Sequence, residues 1–163
     1  ETYKFDMYGE MMLQKELTRP KKLPTFIDMN DCIAEKLEEV FAKRVLILGP
    51  SYIMDDQKLR EFYQSTYGIE MLDLTNYQDE IDEVDRIIRE ELVNYEISVE
   101  SKEFLVNFIN QFPCDSDERP DAIVLGCYEL SLILNQDDIY DEVPLIDGAE
   151  AHIEKIVSLA SSS

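Results

Sequence analysis

The sequence predicts an α/β domain: a small parallel sheet with helices on both faces, wound doubly around it. Two apolar runs, Arg44-Val45-Leu46-Ile47-Leu48-Gly49 and Asp121-Ala122-Ile123-Val124-Leu125-Gly126, show no polar alternation. Unbroken apolar strands of this kind are buried on both faces, as in a parallel sheet. The stretches between them carry apolar residues at helical spacing. Strand and helix alternate along the chain, which is the signature of βαβ units.

Taken in order, Asp6 to Leu17 mixes Met7, Tyr8, Met11, Met12, Leu13 and Leu17 with charged residues, predicting an amphipathic helix that Pro20 terminates. Residues 1–22 form this N-terminal helical segment, residues 23–160 the α/β domain and residues 161–163 a tail. Leu23 to Met29 predicts a short strand, and Asn30 or Asp31 caps a helix to about Ala42, with Ile33, Leu37, Val40 and Phe41 on one side. After the Leu46 strand, Asp55 to Thr66 predicts a helix ended by Gly68, a residue suited to a left-handed cap. Ile69 to Leu72 is a short strand. Asn76 to Asn94 repeats Ile81, Val84, Ile87, Ile88 and Leu92 at helical spacing, with Asp79, Glu80, Asp82, Glu83 and Asp85 on the other face. That acidic run predicts a solvated face. Ser98 caps a helix to Phe112, and a polar loop with Cys114 leads to the Ala122 strand. A helix from about Glu129 to Asn135, an acidic loop, a strand at Val143–Ile146 and a helix from Asp147 to Ala160 complete the order.

The composition limits the function classes. The chain has 163 residues, enough for one domain, and 45% of them are hydrophobic, too many for a chain that stays disordered. There are 36 acidic against 15 basic residues, giving a net charge of −21. Such a surface repels nucleic acid and anionic membranes, and its simplest meaning is solubility. Cys32, Cys114 and Cys127 are odd in number and show no CxxC spacing, so neither a disulfide framework nor a metal site is expected. A reducing, cytoplasmic location is the natural expectation. No apolar run approaches the ~20 residues that span a bilayer, and no signal peptide is visible. The chain starts at Glu1 rather than methionine, as a processed, trimmed or partial chain would. No GxGxxG and no Walker lysine motif occurs, so no nucleotide cofactor is expected.

Candidate chemistry gathers at strand ends. Gly49-Pro50-Ser51, Gly126-Cys127-Tyr128-Glu129 and Asp147-Gly148 each follow a strand, where open α/β sheets bind ligands. A cysteine starting a helix there gains from the helix dipole, so a thiolate is expected at Cys127; the alternative is a small buried hydrophobe. His152 is the only histidine and stands five residues after Asp147, within reach of the same edge; the alternative is an ordinary surface or capping histidine.

From about Leu23 to Ala160 the chain resembles the second lobe of the aspartate/glutamate racemase family. Leu46-Ile47-Leu48-Gly49 resembles the strand that opens that lobe. Asp85-Arg86-Ile87-Ile88-Arg89-Glu90-Glu91-Leu92 resembles the family's N-x-I-I-x-E-E-L helix. Leu125-Gly126-Cys127-Tyr128-Glu129-Leu130 resembles its L-G-C-T-E-L signature, and Asp147 to His152 its D-T-x-x-I-H segment. The resemblance implies cofactor-independent racemisation of a small acidic amino acid or related carboxylate, with one cysteine per lobe moving the α-proton. It implies Cys127 as acid/base, Glu129 and His152 in support, and Ser51, Gly126, Tyr128 and Asp147 lining the substrate.

The pattern also departs. The first-lobe P-C-N-T-A-H-like motif would fall at or just before Glu1, and nothing like it is present. Tyr128 and Gly148 replace threonines, as do Pro50 and Ile53. One lobe supplies only one face of a substrate. The chain is therefore a fragment of a longer protein, or pairs with another chain or a copy of itself, or is a silent relative used for assembly. Apolar Tyr3, Phe5, Met7, Tyr8, Met11 and Met12 point to self-association or a partner covering them.

Overall fold

The computed structural model describes residues 26–112, 119–140 and 143–161. The expected helix over Asp6–Leu17, the apolar run from Tyr3 to Met12, Cys114 and residues 162–163 lie outside them. Four strands, β1 (Arg44–Leu48), β2 (Glu70–Met71), β3 (Ala122–Leu125) and β4 (Leu145–Asp147), form one parallel sheet in the order β2-β1-β3-β4. The expected α/β class is what the chain adopts.

Both faces of the sheet are covered, and residue alternation shows it. Leu46, Leu48, Ile123 and Leu125 enter one core with Ile81 and Val84 of α4 (Gln78–Arg86) and Leu105 and Phe108 of α5 (Val99–Asn110). Val45, Ile47, Ala122 and Val124 enter a second core with Ile33 and Leu37 of α1 (Met29–Glu39) and Tyr63 of α3 (Gln57–Tyr67). Each fully buried Leu or Ile contributes roughly 1.5–3 kcal/mol, so the sheet is held from two sides. At the strand entry, the Asp121 carboxylate accepts N–H bonds from Lys43 and Arg44, each at 2.8 Å, tying β1 to β3.

Several element boundaries differ from expectation. Residues 26–28, expected at the end of a strand, form none, and α1 begins at Met29 because Asp28 accepts the Asn30 N–H at 2.8 Å. The cap is thus Asp28, not Asn30 or Asp31, and α1 ends at Glu39 instead of near Ala42, with Phe41 in the left-handed region at φ 59°. A short helix α2 (Ser51–Met54) precedes α3, and Asp56 caps α3 through the N–H groups of Lys58 and Leu59. Gly68, at φ 67°, ends α3 as expected. The helix expected from Asn76 to Asn94 begins as α4, widens to a π turn over Ile87–Glu91 and tightens to a 3-10 turn over Leu92–Asn94. Tyr128–Leu132 is a 3-10 turn and not an α-helix. The last helix, α6 (Gly148–Ser161), packs mainly on α1. No helix among the described residues is long and apolar enough to cross a membrane.

Candidate functional site

The strand order puts the topological switch point of the sheet at the carboxyl ends of β1 and β3. The chain leaves β1 to build β2 on one side, then crosses to build β3 and β4 on the other. At such a switch the connections diverge and leave room for a ligand. In register, Leu48 faces Leu125 and Leu125 faces Asp147, so the three expected strand ends lie side by side. Gly126 donates its N–H to the Leu48 carbonyl at 2.6 Å, and a Cβ there would stand 2.9 Å from that oxygen. Only glycine permits this approach. It fixes where the next residue, Cys127, leaves the sheet.

Cys127 is half-buried and packs against the core on the α4/α5 side. Its thiol is pushed up to about 12: burial dominates, and the nearby Glu129 carboxylate acts in the same direction. The backbone N–H groups of Leu130 and Glu129 oppose this, but less strongly than burial. The expected thiolate is therefore replaced by a neutral thiol. The physical reason is that the turn it starts is a 3-10 segment of 5 residues, too short for a substantial helix dipole, while the desolvation is large.

Ser51 begins α2 beyond β1, and its N–H donates to Asp85 Oδ1 of α4 at 2.8 Å. The same carboxylate pairs with Arg89 Nε at 2.6 Å, and its side chain is only 19% exposed. Asp85 was expected on a solvated face; it reaches across to the loop instead. In the sequence the pair is marked by the Asp85/Arg89 spacing of one helical turn. At the end of the π turn, Glu91 accepts from Ser101 Oγ at 2.6 Å and Ser98 Oγ at 3.2 Å and pairs with Arg86 at 2.8 Å. These bonds hold its carboxyl below the usual range and anchor the start of α5.

The other expected residues have separate placements. Asp147 Oδ1 accepts from the N–H groups of Ala149 (2.9 Å) and Glu150 (3.2 Å), so it caps α6. Tyr128 is 54% exposed, and Tyr95, Val93 and Leu132 are exposed on the two turns that meet there. The phenol of Tyr128 is raised by the charge of Glu129 and by neighbouring Tyr95. His152 has a partner of its own. Its Nε2 lies 3.0 Å from the Ile27 carbonyl, which can only accept, so Nε2 carries the proton. Its helix packs on α1, whose core lies on the opposite face of the sheet from the one Cys127 touches. The structure brings Cys127 and Glu129 together with the Gly126 turn and the Ser51–Asp85 clamp on one edge. A neutral thiol beside a carboxylate can donate a proton to a carbanion, and the N–H groups of Leu130 and Glu129 then favour the thiolate left behind.

No protein-family model matches the sequence. The fold, however, is shared with solved structures. A candidate Asp/Glu racemase from Yersinia pestis superposes with a TM-score of 0.70 at 25% identity, over 81% of this chain and 54% of its own. An aspartate racemase homologue from Pyrococcus horikoshii superposes with a TM-score of 0.71 at 30% identity, over 83% of this chain and 56% of its own. The chain thus has the α/β architecture of Asp/Glu racemase homologues and spans a little over half the length of each.

Proposed function

We propose that the chain forms one wall of a racemase-like site, in which Cys127 donates a proton to the α-carbon of an amino acid. The observation that carries this is the placement of Cys127 beside Glu129, directly after the Gly126 turn, on the sheet edge where the connections diverge, with burial favouring the neutral thiol. In the proposed step a base on the opposite wall takes the α-proton. The S–H bond of Cys127 breaks as a C–H bond forms on the other face, leaving a thiolate. In the reverse direction that thiolate is the base. The opposite wall comes from a further lobe or chain, in keeping with the half-length match to racemase homologues. By the same reading the chain corresponds to a second lobe.

A second reading is a silent racemase-like module that serves in assembly. The exposed rim of Tyr95, Tyr128, Val93 and Leu132 beside Cys127 favours it, since grouped apolar side chains at a surface mark contact sites.

Exchange of the α-proton in deuterated water separates the two, followed by NMR on L- and D-amino acids with the full chain. Exchange that disappears in Cys127→Ser establishes the proton-transfer site. Absence of exchange leaves the assembly reading.

A further inference from the structure

We propose that Gln136 is an autoinhibitory contact that closes the outer edge of β4 to strand pairing with a second copy of this chain. The inference stands on the sheet edge alone and does not depend on the racemase-like reading.

β4 ends the sheet, with β3 on its inner side. Along a strand the backbone groups of successive residues point to opposite sides. The Pro144 carbonyl accepts from the Ile123 N–H at 2.8 Å, so Pro144 faces β3, and its neighbours Val143 and Leu145 face outward. That outer row is what an incoming strand binds. Gln136 already occupies it. Its Nε2 donates to the Val143 carbonyl at 2.9 Å, and its Oε1 accepts from the Leu145 N–H at 2.8 Å. In a parallel ladder, a residue donates to the carbonyl before the residue it opposes and accepts from the N–H after it. One side-chain amide thus makes the two bonds that a further parallel strand would make opposite Pro144. Its orientation is fixed, since a carbonyl only accepts and a backbone N–H only donates.

The amide is held at the edge by its own turn. Gln136 opens the 3-10 turn Gln136–Asp138, where Asn135 Oδ1 accepts from the Asp137 N–H at 3.0 Å and Asp138 Oδ2 accepts from the Asn135 N–H at 2.9 Å. From α5, Lys102 pairs with Asp138 at 2.9 Å and Asn110 donates to the Asp138 carbonyl at 3.3 Å. The turn is pinned to α5 while its side chain lies along β4. Both edge bonds are exposed, and water serves such groups nearly as well. What the amide adds is the exclusion of another strand. The strand excluded is β4 of a second copy: a two-fold axis brings the same edge of two identical chains together, and the segment carries Val143, Leu145 and Ile146.

Gln136→Ala removes the amide, and Gln136→Met keeps its length without its bonds. Each full-length variant is compared with the wild type in about 0.5 M NaCl, where the repulsion between acidic surfaces is screened. Amide hydrogen exchange at Leu145 is followed by NMR and association by sedimentation velocity, with the melting curve showing that each variant is folded. In dilute solution Leu145 is expected to exchange about tenfold faster in both variants than in the wild type. On concentration both variants are expected to associate about tenfold more tightly than the wild type, and the Leu145 amide to become protected again as they do. Unchanged exchange at Leu145 in a folded variant overturns the proposal, because the amide then holds nothing. Faster exchange without association overturns it, because the opened edge then recruits no copy. Association that leaves Leu145 unprotected overturns it too, because the copies then meet elsewhere. A variant too unstable to fold leaves the decision to the other, and unfolding of both assigns Gln136 to stability and overturns the blocking role.

Discussion

The proposed chemistry turns on one thiol and the carboxylate beside it. Cys127 is held up to about 12 by burial and by Glu129. In an unfolded chain it would ionise near its ordinary value, so the neutral form is the one the fold stabilises. That contribution is fully present at neutral pH and is lost as pH rises from the ordinary thiol range toward 12. Only the thiolate attacks iodoacetamide, forming the S–C bond as iodide leaves. Alkylation of Cys127 at pH 8, measured by mass spectrometry, is therefore expected to be roughly 100-fold or more slower than that of an unperturbed cysteine. Glu129→Gln removes a charge that raises the thiol and is expected to speed the reaction; an unchanged or slower rate would contradict the pairing. The position of Cys127 was legible in the sequence, because a strand followed by Gly-Cys locates a residue at the sheet edge. Its protonation state was not. That depends on how much of the sulfur is withdrawn from water, which is set by residues distant in sequence. The partner of His152 was hidden for a similar reason: its ring meets the Ile27 carbonyl, which lies far away in sequence.

At the scale of elements, β1 and β3 were the most legible because burial on both faces leaves an unbroken apolar run. Capping groups were legible where a side chain and its N–H partner lie a few residues apart, as at Ser98, which accepts from Ser101 N at 3.0 Å. Boundaries set by long-range partners were not. The helical period of Ile81 to Leu92 continues through the π turn, so nothing local announces it, whereas Glu91 is drawn in by Ser101 from the following helix. Asp121 illustrates the same limit. It reads as a polar residue opening a strand, yet it joins two strand entries by bonds to Lys43 and Arg44. Replacing it with alanine removes both bonds at a partly hydrated position, and a loss of about 1–2 kcal/mol is expected from urea denaturation. A loss below the measurement error would show that water substitutes fully.

For the molecule as a whole, the fold class followed from patterning, while the charge of −21 still has no assigned partner. It does have a physical cost. Crowding acidic groups onto a compact surface produces self-repulsion, which salt screens over a Debye length of about 10 Å at 0.1 M. Raising NaCl from ~0.05 M to ~0.5 M is expected to raise the melting temperature by several degrees in scanning fluorimetry. The gain should shrink as pH approaches the isoelectric point near 4.2, where the net charge vanishes. A salt response independent of pH would assign the effect to the solvent. The pairing of β1 with β3 carries one more consequence. Arg44 and Asp121 meet although they stand 77 positions apart in sequence, and β1 lies between two strands that both come later in the chain. During synthesis its oily Val45–Leu48 segment must wait for most of the polypeptide to leave the ribosome before its central neighbour exists, and such delayed pairing slows folding and invites clumping. Chaperone protection of that segment should therefore matter until β3 has emerged.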